Sequence, residues 1–120
     1  MEHLQPHERV AIEECIAHLY RAVGDRLISI WLFGSKARGD SDSDSDIDLL
    51  AVIQTRDWDV WHIIRRIAAR QSLEHDVLFN VHIVDLAYWN DETKYQATLW
   101  REIQHDGVLL SPGVTGRVVA

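Results

Sequence analysis

The sequence contains very little cysteine and no long apolar run, and each absence removes a class of protein. The single cysteine, Cys15, excludes an internal disulfide framework and any zinc or iron–sulfur site built from several cysteines. We expect it to be an inert thiol packed within a helix. No apolar run approaches the ~18 residues needed to cross a bilayer, and no signal peptide opens the chain. We therefore expect a cytoplasmic protein without a membrane partner.

Positive charge is also scarce, because 12 lysines and arginines stand against 19 aspartates and glutamates, for a net charge of −7. Such a balance disfavours nonspecific nucleic-acid binding, which depends on neutralising phosphates. The 47% hydrophobic content is that of an ordinary globular protein. A chain of 120 residues has room for one core. We predict one domain over residues 1–110 and a flexible tail over residues 111–120.

Apolar periodicity predicts helices that alternate with strands along the chain. The helices are expected at residues 6–23, 58–73 and 92–105, and the strands at residues 27–33, 47–53 and 77–84, with a short edge element at 108–110. This order predicts an α/β (α+β) fold. The expected architecture is a small mixed β-sheet with helices packed on one face.

A polar turn follows the first predicted strand. Gly34 allows the backbone to approach a ligand closely, and free amides at a helix start attract phosphate. Ser35 adds a hydroxyl, and Lys36 and Arg38 add positive charge. Taken alone, a Gly-Ser pair is more often a simple turn with a helix cap.

Five aspartates at alternate positions come next, from Asp40 to Asp48. Asp46 and Asp48 open the second strand, where side chains two residues apart share a face at ~6.6 Å. Two such carboxylates repel each other unless a cation lies between them, and Mg²⁺ is commonly held by carboxylates together with substrate phosphates. The remaining aspartates precede the apolar alternation, and we predict a solvated loop for Asp40, Asp42 and Asp44.

The combined pattern is Gly34-Ser35, ten residues, and then Asp46-Ile47-Asp48 leading into a hydrophobic strand. It resembles the signature of the nucleotidyltransferase superfamily that includes DNA polymerase beta. The resemblance is carried by FGSKARGD-x₅-DIDLL and covers residues 26–53. Because the chain is short, it is most similar to the minimal nucleotidyltransferase (MNT) branch, whose MntA-like members are antitoxins of HEPN-domain toxins.

The resemblance implies a site and its ligands. Asp46 and Asp48 would be catalytic ligands of Mg²⁺, with two ions expected, and Gly34 and Ser35 would contact the phosphates of a nucleoside triphosphate, ATP being the expected donor. Lys36 and Arg38 would either help to neutralise the triphosphate or form surface salt bridges, and the resemblance leaves both alternatives open.

Active family members supply a third carboxylate from a later strand. In this chain that position falls near Asn80 or His82, and neither is a carboxylate. His82 is either a base or metal ligand or a structural histidine. Asp76 shares the expected face but lies near the strand start, and Asp85 is expected on the opposite face.

The resemblance implies transfer of AMP from ATP to a hydroxyl of a HEPN-type toxin protein, which is thereby neutralised. Two alternatives remain. The chain is either a nucleotide-binding module that neutralises its partner without catalysis, or a transferase acting on a small molecule in a pocket completed by a second copy. In each case another macromolecule or a second subunit completes the site, since the chain has no room for an acceptor domain.

Overall fold

The structure is a computed structural model that describes residues 3–39, 46–95 and 98–111. Its helices and strands alternate as the apolar pattern predicts. A single 3₁₀ turn at Gly24–Arg26 joins the first helix to the first strand. The remaining elements are, in chain order, α1 (Pro6–Val23), β1 (Leu27–Phe33), α2 (Ser35–Arg38), β2 (Ile47–Ile53), α3 (Trp58–His75), β3 (Phe79–Asp85), α4 (Leu86–Tyr95), α5 (Thr98–Asp106) and β4 (Val108–Ser111).

The strands form one mixed sheet in the order β3-β2-β1-β4, so the predicted mixed sheet is confirmed. β1 pairs antiparallel with both β2 and β4, whereas β2 pairs parallel with β3. The parallel pair is connected by α3, as a crossover between parallel strands requires. β1 and β2 thus form the centre of the sheet, and β3 lies at one edge.

The helices cover both faces of this sheet. α1 and α3 pack on one face, against alternate residues of β2 that include Ile47 and Leu49. α5 lies against the opposite face, where Ile103 packs with Leu50 and Val52. The expectation of helices on a single face therefore holds for α1 and α3 but not for α5. Among the residues that the structure describes, no helix is both long and apolar enough to cross a membrane.

The boundaries of α1, β1 and β2 are those that the sequence predicts, and the differences lie in the second half of the chain. β3 begins at Phe79 rather than at residue 77, because Asp76 adopts a left-handed conformation (φ 53°) that ends α3 and turns the chain. The predicted helix over 92–105 is instead two helices. Asp85 begins the first of them, since its Oδ1 accepts a hydrogen bond of 2.7 Å from the Tyr88 N–H.

The predicted edge element is present as β4, which is one residue longer than expected. Its last residue, Ser111, is buried, and its hydroxyl donates to the Tyr20 hydroxyl at 2.7 Å. Ser111 is the first residue of the tail that the sequence predicts. The rest of that tail, residues 112–120, lies outside the described part of the chain, as do Asp40, Asp42 and Asp44.

Cys15 lies on the buried face of α1 with no exposed surface. Burial raises the pKa of its thiol to about 12. Because the thiolate is the reactive form, we expect a disulfide reagent at pH 8 to label the native protein only as fast as the protein opens. Labelling in denaturing guanidinium is the control, and equal rates in the two conditions would contradict the packing described for α1.

Candidate functional site

The polar turn after β1 has a backbone that only glycine adopts easily. Gly34 has φ 76° and ψ −157°, and its carbonyl oxygen accepts hydrogen bonds of 3.1 Å from the N–H groups of Ala37 and Arg38. These bonds wind residues 35–38 into the short helix α2, which Gly39 ends with a φ of 87°. The half-buried Ser35 is therefore the first helical residue after the strand.

Gly34 lies directly against the carboxylate of Asp48. A Cβ atom added to Gly34 would lie 2.3 Å from Asp48 Oδ2, which is too close for any side chain. The contact arises because Phe33, the last residue of β1, is the register partner of Asp48 in β2. The turn and the Asp48 carboxylate thus lie in contact at the end of β1.

The two predicted metal ligands lie at the amino-terminal end of β2. Asp48 is its second residue, and Asp46 directly precedes the strand, so alternation directs both side chains to the same side. Both are half-buried. Asp48 Oδ1 accepts a hydrogen bond of 2.9 Å from the Nδ2 of Asn80, its register partner on β3.

Asn80 and His82 lie beside the carboxylate on the same face of β3. Asn80 Nδ2 is 3.4 Å from His82 Nε2, and the His82 ring meets the Phe33 ring edge-on with centroids 5.3 Å apart. The neighbour of Asp48 on β3 is therefore an amide, followed by an imidazole.

Two other carboxylates considered as the third acidic group are placed elsewhere. Asp76 is the C-cap of α3, before β3 begins. Asp85 lies at the far end of β3, where its carboxylate caps α4. Of the residues considered for the third acidic position, Asn80 and His82 therefore lie beside Asp48, whereas Asp76 and Asp85 do not.

The donor atoms fit a divalent ion that is shared with a phosphate ligand. Within the described ranges, no group of three His, Cys, Asp or Glu side chains is gathered that could hold a metal. Asp46 and Asp48 supply two carboxylates, and Mg²⁺ commonly takes one or two carboxylates together with substrate phosphates. The residues therefore fit Mg²⁺ bound with a polyphosphate better than an ion held by protein ligands alone.

Lys36 differs from its predicted role as a phosphate contact or surface salt bridge. Its ammonium is 2.5 Å from Oε2 of Glu8, in an ion pair whose side chains are only 3% and 4% exposed. In this position the ammonium contacts the first turn of α1. Arg38, by contrast, is exposed at the end of α2.

Glu8 connects α1 to the polar turn. Its Oε1 accepts a hydrogen bond of 2.8 Å from the Gln5 N–H while its other oxygen pairs with Lys36. Burial alone would raise the pKa of Glu8, but the bonds from Lys36 and Gln5 outweigh it and hold the pKa below its ordinary value. This carboxylate is therefore charged at neutral pH and fixes the base of α2.

Sequence reasoning assigned Glu8 no role in the site. The helix-capping position of Glu8, three residues after Gln5, was visible in the sequence. Its pairing with Lys36 was not, because 28 residues separate them and no local pattern links the two. Asn80 was named only for lacking a carboxylate, and its hydrogen bond to Asp48 depends on the strand register.

The matched region of the chain now decides its family. The family model described as "Polymerase beta, Nucleotidyltransferase" matches residues 14–110, which include the turn, both aspartates and β3. The chain belongs to this nucleotidyltransferase family. A comparison with curated proteins finds no significant match.

Solved structures with a similar fold include toxin–antitoxin complexes. One crystallised with AMP-PNP is 27% identical with a TM-score of 0.51, and covers 82% of this chain and 71% of its own. A toxin–antitoxin MntA-HpeT mutant with two Asp-to-Glu changes two positions apart is 25% identical with a TM-score of 0.50, at the same coverage. This nucleotidyltransferase therefore resembles these toxin–antitoxin structures in fold.

A third structure shows the fold alone. It is a Sulfolobus solfataricus protein provisionally assigned as a nucleotidyltransferase, 24% identical with a TM-score of 0.50, and it covers 92% of this chain and 94% of its own.

The ion pair beneath the turn gives a prediction for Glu8→Gln. We expect a loss of about 3–5 kcal/mol of unfolding free energy at pH 7, because the Lys36 ammonium stays buried without its counter-charge. The native pKa of Glu8 is depressed, so its contribution is present above the unfolded pKa and is lost as pH falls through the native pKa. The difference between variant and parent should therefore shrink on acidification below pH ~4.5.

Denaturant titrations at a series of pH values measure this difference. The matched control is Glu13→Gln, which changes an exposed carboxylate on the same helix. Equal unfolding free energies for the two variants at pH 7 would refute the role given to the ion pair. So would a difference between Glu8→Gln and the parent that grows as the pH falls.

Proposed function

We propose that this nucleotidyltransferase binds Mg²⁺ and a nucleoside triphosphate at Asp46, Asp48 and the Gly34–Ser35 turn, and transfers AMP from ATP to a hydroxyl of a HEPN-type partner protein. The single observation that carries the proposal is the contact between Gly34 and Asp48. It brings a backbone turn suited to phosphate into contact with a carboxylate suited to a divalent ion.

Several features support this assignment of the site. The paired aspartates have the same two-residue spacing as the aspartates changed in the MntA-HpeT mutant. A structure of similar fold was crystallised with AMP-PNP, an ATP analogue, which favours ATP as the donor. Both structures are of toxin–antitoxin pairs, which favours a toxin protein as the acceptor.

The chain's own residues act mainly by positioning. Asp46 and Asp48 hold the cation, and Asn80 orients Asp48 through its 2.9 Å hydrogen bond. When bound, Mg²⁺ stabilises the charge that develops on the α-phosphate as the acceptor oxygen attacks and pyrophosphate leaves. His82 would take the proton of the acceptor hydroxyl.

A binding-only function is the second candidate, and one observation favours it. The neighbour of Asp48 on β3 is the amide of Asn80, which can orient a ligand but cannot accept a proton as a carboxylate does. The chain would then neutralise its partner by binding it, without transferring a nucleotide to it.

Asp48→Asn tests the site. We expect it to weaken Mg²⁺-dependent binding of ATP by at least about tenfold, or about 1.4 kcal/mol, because one of two negative ligands is lost. Calorimetric titration with ATP, GTP, CTP and UTP, each with and without Mg²⁺, measures the binding and identifies the preferred base. The matched control is Asp25→Asn, an exposed aspartate before the opposite end of β1. Unchanged ATP affinity in Asp48→Asn would remove the proposed site.

The reaction is tested by producing the chain together with its candidate toxin. We expect intact-mass measurement to show the toxin increased by one nucleoside monophosphate, and the Asp46→Ala/Asp48→Ala variant to abolish both the increase and the neutralisation. Full neutralisation by that variant, with an unmodified toxin, would instead establish the binding-only function. His82→Gln separates the base from the metal site, since it should slow transfer while leaving Mg²⁺-ATP affinity unchanged.

A further inference from the structure

A second feature lies outside the proposed nucleotide site, at the open edge of the sheet. Among the strands of the described residues, β3 is the last in the sheet order and pairs with β2 on its inner side. The Leu78 carbonyl accepts from the Ile47 N–H at 2.8 Å, which fixes the direction of the alternating backbone groups. The backbone groups of Phe79, Val81 and Ile83 therefore point outward, away from β2.

The first part of this edge is closed by side chains of α3. Ser72 Oγ accepts a hydrogen bond of 3.0 Å from the Phe79 N–H, and Arg65 Nη1 donates to the Val81 carbonyl at 3.3 Å. Such capping prevents uncontrolled pairing of edge strands. Ile83 is the next outward-facing residue, and it lines an open cavity of about 600 Å³.

The cavity wall opposite β3 is aromatic and positively charged. Trp58 and Trp61 meet edge-on with ring centroids 5.6 Å apart, and Trp58 is 57% exposed. The guanidinium of Arg56 lies 5.2 Å from the Trp58 ring centroid, and that of Arg65 lies 5.0 Å from the Trp61 centroid. Stacking on indole rings holds both guanidinium groups over the cavity.

The carboxylates at the cavity already have partners. Asp57 Oδ1 accepts from the backbone N–H groups of Asp59 and Val60 at 2.9 and 3.3 Å, and Asp85 accepts from the Tyr88 N–H. Both carboxylates thus serve as helix caps. Their charge is partly offset, because both lie at helix N-termini and Asp57 also pairs with the Arg26 guanidinium at 3.9 Å. A ligand of this cavity therefore meets the two stacked arginines as its available cations, although the chain as a whole carries −7.

We propose that the cavity beside β3 is the docking groove for an extended, acidic segment of a partner protein, which adds to the sheet as a fifth strand next to Ile83. The outward N–H and carbonyl of Ile83 can pair with the backbone of the segment, the tryptophans offer apolar contact, and the two guanidinium groups pair with carboxylates of the segment. Strand addition obtains affinity from the main chain and specificity from alternate side chains.

This docking also places the segment relative to the proposed nucleotide site. Side chains of an added strand alternate between the two faces of the sheet, so every second one lies on the face of Asp48, Asn80 and His82. His82 lines both the cavity and the proposed site. Delivery of an acceptor hydroxyl along this strand rests on the proposed function, whereas docking itself needs neither nucleotide nor metal.

A single-stranded nucleic acid also stacks on tryptophan and pairs with arginine. The acidic chain disfavours it, because binding of a polyanion requires many phosphates to be neutralised. The outward-facing backbone of Ile83 also matches a peptide backbone and not a nucleotide chain. An acidic peptide is therefore the occupant that the groove fits.

The test uses displayed random peptides of about ten residues, the length of a long strand, selected on the full chain without nucleotide or Mg²⁺. We expect enriched peptides with alternating apolar residues and an excess of Asp and Glu. The Arg56→Glu/Arg65→Glu variant should weaken the selected peptides by at least about tenfold through charge reversal. The matched control is Arg66→Glu, which reverses an exposed charge on the same helix but does not line the cavity.

Ile83→Pro tests strand addition directly, because proline removes an outward N–H and is tolerated at sheet edges. Its fold is checked by circular dichroism, and the arginine variant carries the test if Ile83→Pro does not fold. Failure to enrich acidic peptides, equal affinity in the two arginine variants, or selective binding of oligo-dT in place of peptide would each overturn the proposal. Peptide binding retained in Asp48→Asn separates this result from any failure of the proposed nucleotide site.

Discussion

The structure depends on β2, a strand held on all sides except at its first residues. β1 and β3 bond its backbone from either edge, and apolar clusters pack on both of its faces. Asp48 is its only polar residue, at the end where the β1–α2 turn and β3 converge. Because a strand fixed in this way cannot shift, Gly34 and Asn80 meet the Asp48 carboxylate in one set geometry. The core thus sets the site's dimensions.

Local sequence patterns predicted a helix or strand correctly wherever its own residues determine where it begins and ends. The apolar periodicity defined α1, and the apolar runs defined β1 and β2 to the residue. Patterns failed where a boundary depended on backbone direction or on a cap, as at Asp76 and Asp85. In the candidate site, the aspartates and the turn were predicted from spacing, whereas contacts between distant residues, such as Glu8 with Lys36, were not.

The chain belongs to a nucleotidyltransferase family, but the position beside Asp48 on β3 holds the amide of Asn80 and not a third acidic group. Asn80 gives Asp48 a neutral hydrogen-bond donor where a carboxylate would repel it. Ligand binding and group transfer therefore place different demands on this position, because an amide can orient a ligand but cannot accept a proton as a carboxylate does.

The ion pair between Glu8 and Lys36 determines how much of the chain a domain with an intact polar turn must include. The family match starts at residue 14, but the carboxylate that anchors the turn lies in the first turn of α1, ahead of that point. A domain trimmed to the matched region would keep both aspartates and the glycine turn, yet leave an ammonium group in the interior without its counter-charge. A domain that keeps this ion pair must therefore be longer than the segment that the family model matches.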